Sequence, residues 1–463
     1  MTLRPAALAA CLLAFSLGGC AVGPAYKVPV TAQPAAFKEA GPWQVAAPAD
    51  MLERGPWWTL FNDAQLNALA ARVRIDNQNV AVAVANYAAA RAAVAQQRAQ
   101  LLPTVTLNTG ADRSGGGGSG SSNKSYRLSI GGTWEPDVWG RLRAGVTGAQ
   151  ANAQASAADL AAATLSAQGE LAINYFNVRE LDAERALVQQ TIAGYERVLQ
   201  ITQNRFDAGI AARTDVLQAQ TQLAQTRSDD LSLERQRAQL EHAIAILLGR
   251  APAEFSLPTA PWVANVPDVP AGVPSALLQR RPDIAAAERL VAAANADIGI
   301  AQAAYYPSIG LSGSYATGGP SVSDLFKVST AVWSLGLSAA QTLFNGGATR
   351  AAVAGATARQ EAAAARYRQT VLTAFGDVED QLAATRILAQ QQVLRQQASS
   401  AADLVEQQIL NRYKAGQVSY TEVVQAQATA LSARRSLAQS QADRQTTAVA
   451  LIQSLGGGWS AAN

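Results

Sequence analysis

The residues of this chain that first suggest a reaction are two adjacent carboxylate pairs, Asp229-Asp230 and Glu379-Asp380, one histidine, His242, and two cysteines, Cys11 and Cys20. Paired acids do acid/base work when their surroundings hold two pKa values apart. Both pairs lie in long helix-forming stretches and read as solvated helix faces. A zinc site takes three or four ligands, so His242, between Glu241 and Ala243, reads as a surface or packing residue. No Ser/His/Asp or Cys/His set can be assembled. The run Ser114-Gly115-Gly116-Gly117-Gly118-Ser119-Gly120 lacks the Gly-Lys-Ser/Thr ending of a phosphate loop. A strand pattern follows Lys124, and the run reads as a flexible loop. Neither catalysis nor nucleotide-driven work is expected.

Cys20 has a different setting. Arg4 supplies a positive start, Ala6 to Phe15 a short apolar run, and Leu17-Gly18-Gly19-Cys20 ends it with small residues. An ordinary secretory signal shares the small residues but has no need of a cysteine there. The pattern is a lipobox, which makes residues 1–19 a signal peptide and Cys20 the acylated first residue of a bacterial lipoprotein. Ala21, in place of an aspartate, favours the outer membrane by analogy with bacterial lipoproteins. That lipid is the one covalent group expected, with no other cofactor. Both cysteines fall in the first twenty residues, so neither a disulfide framework nor a cysteine metal site follows. Net charge is +3 and charged residues are 15% of the chain, evenly spread, which argues against a nucleic-acid partner.

The rest of the chain says the same thing twice, about 205 residues apart. Asn204-Arg205-Phe206-Asp207-Ala208-Gly209 returns as Asn411-Arg412-Tyr413-Lys414-Ala415-Gly416, and Thr214-Asp215-Val216-Leu217 as Thr421-Glu422-Val423-Val424. Leu102-Pro103-Thr104 returns as Tyr306-Pro307-Ser308. Residues 20–61, rich in Pro, Gly and Trp, form an extended arm. A first repeat covers 62–250, a Pro-rich linker 251–274, a second repeat 275–457 and a tail 458–463.

Each repeat mixes helices with two strands. A helical pattern runs from Asn62 to Leu102. Val80, Tyr87, Val94 and Leu101 recur every seven residues, as do Ile284, Val291, Ile298 and Tyr305 in the second repeat. Such seams mark helices packed nearly parallel. At Pro103 and Pro307 helix gives way to alternation. Tyr126, Leu128, Ile130 and Trp134 alternate with Arg127, Ser129, Gly131 and Thr133. Similar alternation runs through Ile309 to Tyr315 and Trp333 to Leu337. Period two means strands, each about ten residues, the length of a tilted membrane strand. Tyr126, Trp134, Tyr315 and Trp333 are expected near strand ends, as an interfacial belt. A soluble sheet usually carries Lys, Glu and Thr on its wet face. Here that face is mostly Ser and Gly, which suits a crowded barrel lumen. Proline-free stretches then follow, from Ala144 to Arg205 and from Thr349 to Arg412. Sixty helical residues make a rod of about 90 Å, several times a bilayer core, so the rods must project from the membrane. Gly209 and Gly416 end them in tight turns, and shorter helices return to Leu248 and Leu455.

Several motifs together resemble the TolC-type outer-membrane factors, in the branch called NodT or outer-membrane efflux lipoproteins. They are Cys20-Ala21-Val22-Gly23-Pro24-Ala25-Tyr26, with Ala25 where an acidic residue is usual; Trp57-Trp58-Thr59-Leu60-Phe61-Asn62-Asp63; Trp134-Glu135-Pro136-Asp137-Val138-Trp139-Gly140-Arg141; and Arg280-Arg281-Pro282-Asp283-Ile284. The resemblance spans the mature chain. It implies a mainly α protein with a membrane β-barrel: four strands per chain, a homotrimer closing one twelve-stranded barrel, and a coiled-coil tunnel through the periplasm. Residue patterns alone agree that four strands cannot close, but leave dimer and trimer open. The resemblance further implies a passive exit duct, fed by a periplasmic adaptor and an inner-membrane, proton-driven pump, and set in outer-membrane lipid.

By the same resemblance, Arg205, Phe206, Gly209, Arg412, Tyr413 and Gly416 dock the adaptor and hold the entrance closed. Relatives often carry an acidic residue just past the second turn. Here Thr421, Gln425 and Ala428 share that helix face and none is acidic. The gate candidates are therefore a polar level at Thr421 and Gln425, or Asp215 from the first repeat; Arg412 is expected to pair with an acidic neighbour such as Asp215 or with a main-chain carbonyl. The competing reading is a coiled-coil lipoprotein scaffold that tethers the outer membrane without conducting; a scaffold has no use for four alternating strands.

Overall fold

The computed structural model describes residues 22–31, 34–40, 56–115, 122–269 and 280–457. Cys20, the signal segment, the glycine run from 116 and the tail lie outside the described residues. In chain order the helices and strands are α1 (Ala64–Asp76), α2 (Gln78–Ala99), β1 (Thr104–Gly115), β2 (Ser122–Trp134), α3 (Arg141–Asp207), α4 (Arg213–Leu247), α5 (Pro282–Ala303), β3 (Ser308–Gly319), β4 (Val332–Ala340), α6 (Ala348–Lys414) and α7 (Tyr420–Ser454). The repeat is plain in the lengths: α3 and α6 have 67 residues each, α4 and α7 have 35 each. No helix among the described residues is long and apolar enough to cross a membrane.

Packing divides the chain into two units, each drawing on both repeats. Among the described residues, the first comprises those of 22–31, 85–157 and 285–370, and the second those of 34–84, 158–284 and 371–457.

The first unit holds one antiparallel sheet in the order β1-β2-β3-β4. The two repeats meet where β2 pairs with β3, from Trp134 opposite Leu311 to Tyr126 opposite Gly319. Alternation sorts the side chains by face. One face collects Leu107, Leu128, Ile130, Tyr315, Leu335 and Leu337; the other carries Ser129, Gly131, Ser312, Ser314, Ser334 and Ser338. On the small polar face the Ser314 and Ser334 hydroxyls bond at 2.8 Å. On the apolar face Trp333, Leu335 and Leu337 are about three-quarters exposed, at 75%, 78% and 74%. A soluble sheet buries such a face; here the chain leaves it uncovered.

Two expectations change here. Trp134 closes β2 and Trp333 is the second residue of β4, but Tyr126 and Tyr315 lie inside their strands. The β1–β2 hairpin continues past Tyr126 to Gly115 opposite Ser122, so Tyr126 marks the end of the β2–β3 ladder rather than of a strand. The two heptad seams also differ. In the second repeat Ile284, Val291 and Ile298 are buried and Tyr305 is 49% exposed, whereas of the first-repeat set Val80 is buried and Tyr87, Val94 and Leu101 are half-buried.

The second unit holds the main apolar core, built from Trp57, Phe61, Leu66, Leu171, Tyr175, Phe176, Ile244 and Val449 among others. The helix expected from Asn62 to Leu102 is broken at Asn77, which is extended. The Asn77 amide donates to the Leu247 carbonyl at 2.8 Å, and its oxygen accepts from the Val80 amide at 3.1 Å. Gly249, at φ +63°, passes so near the Asp76 carbonyl that a Cβ there would stand 2.2 Å from the oxygen. The end of α4 thus wedges the two helices apart. The Trp-Trp motif makes a single 3-10 turn, with Asp63 capping α1 through bonds of 2.9 Å to the Gln65 and Leu66 amides. Asp63 also accepts from the Tyr175 hydroxyl at 2.6 Å, and that phenol is pushed up to about 12, first by burial and then by this bond.

The Arg-Arg-Pro-Asp motif is a fastener. Arg281 grips Asp283 with two bonds, of 3.0 and 2.7 Å, and reaches Asp377 on α6 at 3.0 Å and the Ser454 carbonyl on α7 at 3.2 Å. A planar guanidinium with several fixed donors suits a junction of three helices.

Candidate functional site

Both long helices end in the same backbone device. Gly209 and Gly416 each adopt φ +74°. At the first turn the Gly209 amide bonds the Phe206 carbonyl at 2.8 Å and the Ile210 amide bonds the Arg205 carbonyl at 2.8 Å. At the second, Gly416 bonds Tyr413 and Gln417 bonds Arg412, both at 2.9 Å. These paired bonds define a Schellman cap, which needs a left-handed residue where glycine costs least.

The side chains around the two caps diverge. Tyr413 is buried, and it packs with Val198, Ala219, Tyr420 and Val423. Its hydroxyl lies 3.2 Å from the Thr202 hydroxyl. The Arg205 guanidinium sits 4.9 Å from the Tyr413 ring centre, and its Nη1 donates to the Tyr413 carbonyl at 3.3 Å. Tyr420 stands 6.0 Å from Tyr413, ring to ring, and burial raises its phenol to about 12, with Tyr195, Tyr413 and Asp215 adding to the shift. The second helix pair is further fixed by a capping box, in which the Ser419 amide donates to Glu422 at 3.1 Å.

Arg412 is exposed. The Arg412–Asp215 pair expected from the sequence is absent among the described residues of the chain. Arg205, its counterpart one repeat earlier, makes the inward contacts instead. Thr421 and Gln425 are exposed on one face of α7, and with Ala402, Val405, Ile409 and Glu422 they border a groove of about 440 Å³ against α6. Asp215 is half-buried near the start of α4. The arrangement joins Arg205 and Tyr413 directly, leaves Phe206 37% exposed, and keeps Asp215 apart from Arg412. Sequence reasoning missed Thr202 and Tyr420. The Ser419-x-x-Glu422 spacing was a readable capping signal; the Thr202–Tyr413 contact had none.

No group of His, Cys, Asp and Glu among the described residues is arranged to hold a metal ion. A duplicated set of long helical hairpins joined to a sheet with an apolar exposed face is the architecture of an outer-membrane channel. The chain belongs to the outer membrane efflux protein family, whose model matches residues 69–250 and 273–457, one stretch in each repeat. It is 31% identical to the pyoverdine export outer membrane protein OpmQ of Pseudomonas aeruginosa, over 98% of this chain and 96% of the relative. It is 28% identical to the cation efflux system protein CusC of Escherichia coli K12, over 98% and 100%. Among solved structures, the outer-membrane channel OprN aligns over 95% of this chain and 100% of its own, with TM-score 0.86 and 31% identity. The open state of the Neisseria gonorrhoeae MtrE channel aligns over 95% and 98%, with TM-score 0.85 and 29% identity. The protein is therefore an outer-membrane efflux channel, an exit duct of the kind that serves tripartite pumps. Its family is one of channels, not of enzymes.

Proposed function

We propose that the protein works as a homotrimer whose twelve strands close one barrel, that Cys20 carries lipid, and that the tips receive a periplasmic adaptor coupled to a proton-driven inner-membrane pump. The carrying observation is the sheet. Four strands with two free edges, an exposed apolar face and a face of Ser and Gly make no finished structure alone. Closing the edges with further copies satisfies the backbone and puts the apolar face in lipid.

Arg205, Phe206, Gly209, Arg412, Tyr413 and Gly416 are the proposed docking and closing surface, with Asp215, Thr421 and Gln425 as the constriction. The half-exposed Phe206 and the exposed Arg412 supply an apolar and a cationic contact. The duct is passive, and its cargo is chosen by the pump. Relatives of similar identity are named for pyoverdine export and for cation efflux, which supports a conduit that does not itself discriminate.

Light scattering in detergent should give three chains per particle, and planar bilayers should show conductance. A monomer, or a particle that never conducts, overturns the reading. Mass spectrometry of the mature N-terminus should find a lipid-modified Cys20, and Cys20→Ser should block normal processing while barrel insertion survives. An unmodified start at another residue refutes the acylation.

A further inference from the structure

Strands β1 and β3 lead away from the helices and β2 and β4 return to them, so the β1–β2 hairpin and the β3–β4 connector share the far end of the sheet. Followed toward that end on the apolar face, the cross-strand pairs are Leu107 with Ile130, Thr109 with Leu128, Ala111 with Tyr126, and then Arg113 with Lys124. The apolar band thus ends in two cations set directly opposite each other, and both are exposed. The carboxylate of these two strands, Asp112, pairs with Ser125 on the other face, where Arg127 also lies, opposite Gly110.

Lys124 and Trp134 lie near opposite ends of β2. At about 3.4 Å per residue and a tilt of about 40°, the strand between them climbs roughly 26 Å, close to the roughly 25 Å apolar band of an outer-membrane barrel. With Trp134 at one boundary of that band, Arg113 and Lys124 fall at the other, at the level of lipid headgroups.

The β3–β4 connector folds back onto the same face. The Asp324 carboxylate accepts from the Ser321 amide at 3.0 Å, from the Ser321 hydroxyl at 2.7 Å and from the Lys327 ammonium at 2.7 Å. The Thr317 hydroxyl donates to the Leu325 carbonyl at 2.8 Å, and the Thr330 hydroxyl to the Asp324 carbonyl at 2.6 Å. Gly319 passes so near that a Cβ there would stand 2.6 Å from that of Asp324. These bonds fix a turn that holds Phe326 and Val328 80% and 86% exposed. Between those side chains and Leu107, Leu128, Ile130 and Tyr315 lies a cleft of about 290 Å³. Apolar side chains held over an apolar cleft form a binding groove, not a solvated loop.

We propose that this face holds an anionic outer-leaflet lipid, with its phosphate across Arg113 and Lys124 and one acyl chain in the cleft beside Phe326 and Val328. The site rests on the barrel reading above: with the helices on the periplasmic side, the far end of the sheet meets the outer leaflet. Like charges on one cross-strand pair repel, and a phosphate across them turns that repulsion into a two-point, charge-assisted hold. Lys327 is matched by Asp324 and adds no net charge. The Thr109–Leu128 pair beside the cleft lies two cross-strand pairs, about 13 Å along the strand, from Arg113 and Lys124. That distance fits within the roughly 15 Å of hydrocarbon in one leaflet, so one lipid reaches both the cations and the cleft, which a free phosphate cannot.

The test is native mass spectrometry of the full-length protein in detergent, titrated with bis-phosphorylated lipid A, with zwitterionic phosphatidylethanolamine and with inorganic phosphate. Lipid A should bind more tightly than phosphatidylethanolamine. Arg113→Gln with Lys124→Gln should weaken lipid A roughly thirtyfold, at about fivefold per cation beside an anionic lipid, and leave phosphatidylethanolamine unchanged. If the double variant does not assemble, Lys124→Gln alone decides, at about fivefold. Phe326→Ser should weaken both lipids, and Arg127→Gln, on the other face, should change neither. Equal affinity for the two lipids overturns the site, as does wild-type binding of lipid A by the cation variants; three chains per particle and intact conductance then leave the barrel reading standing. Displacement of lipid A by inorganic phosphate also overturns it, since the site would then be one for a free anion. A loss with Arg127→Gln equal to that of the double variant would reduce the binding to net charge, and unchanged binding by Phe326→Ser removes the cleft. A monomer that never conducts defeats the barrel reading and this site with it.

Discussion

The turn after α3 and the turn after α6 share a backbone and differ in what they do with it. Both are Schellman caps on a glycine at φ +74°. Around the second, Tyr413 and Tyr420 are buried and Ser419 and Glu422 cap the returning helix. Around the first, Phe206 takes the place of Tyr413 and stays 37% exposed, Ile210 is 67% exposed, and the N-cap position is Ala212, with no side-chain bond. The second turn is a packed anchor and the first an open surface. The duplicated unit is thus packed at one turn and open at the other.

The sharpest way to break this comparison is to truncate both aromatics. Tyr413→Ala removes a buried ring, and large aromatic truncations in cores cost about 3–5 kcal/mol. Phe206→Ala removes a half-exposed one and should cost under about 1 kcal/mol. Chemical denaturation of the purified protein reads the first number. Export and adaptor cross-linking should fall with Phe206→Ala although the fold holds. Equal stability losses at the two positions would erase the distinction between anchor and surface.

The two glycines should behave alike in stability. Nothing stands within 4 Å of a Cβ built on Gly209 or Gly416, so a side chain meets conformational strain and no clash. A non-glycine residue in this region costs about 1–2 kcal/mol, and a β-branched one resists it most. Gly416→Val should impair export with little loss of trimer, and Gly416→Asn should recover most of it. Wild-type export in a strain that depends on this protein would remove the second turn from the mechanism.

A smaller effect separates the caps. Ser419→Ala deletes a capping side chain and should destabilise by about 1 kcal/mol, while Ala212→Ser should stabilise the first turn by no more than that. Thermal unfolding of the two variants in parallel gives the signs. A destabilising Ala212→Ser would mean that the open turn is held by something other than its own cap.

The asymmetry was half legible in the sequence. The rods, expected over Ala144–Arg205 and Thr349–Arg412, run over Arg141–Asp207 and Ala348–Lys414, because proline-free periodicity and a terminal glycine are local signals. The break at Asn77 was not legible, since the wedge that makes it arrives from Leu247 and Gly249. For the same reason Arg281 could be seen as a motif but not as a fastener: its partner Asp377 is 96 residues away. At the turns, glycine spacing revealed the backbone, but Tyr413 owes its burial to Thr202 and Arg205 on another helix.

The least of the effects concerns closure, and it turns on which arginine holds Tyr413. Arg205 covers the Tyr413 ring and bonds its carbonyl, whereas Arg412 is exposed and forms no pair with Asp215 within the chain. If the resting entrance is held by contacts of Arg412 with a neighbouring copy, each is a surface pair worth about 0–1 kcal/mol, repeated around the ring. Tyr413→Phe removes just the hydroxyl contact with Thr202 and leaves the buried ring in place. Arg412→Ser with Tyr413→Phe should then raise single-channel conductance in planar bilayers, and Arg205→Ser alone should loosen the anchor without opening the pore. The reverse result, opening by Arg205→Ser and none by the double variant, would place the latch inside each chain and make the packed turn, not the exposed cation, the element that closes the duct. Unchanged conductance in every variant, with the trimer intact, would move closure to the level of Thr421 and Gln425, whose exposed side chains line one face of α7 just beyond the turn.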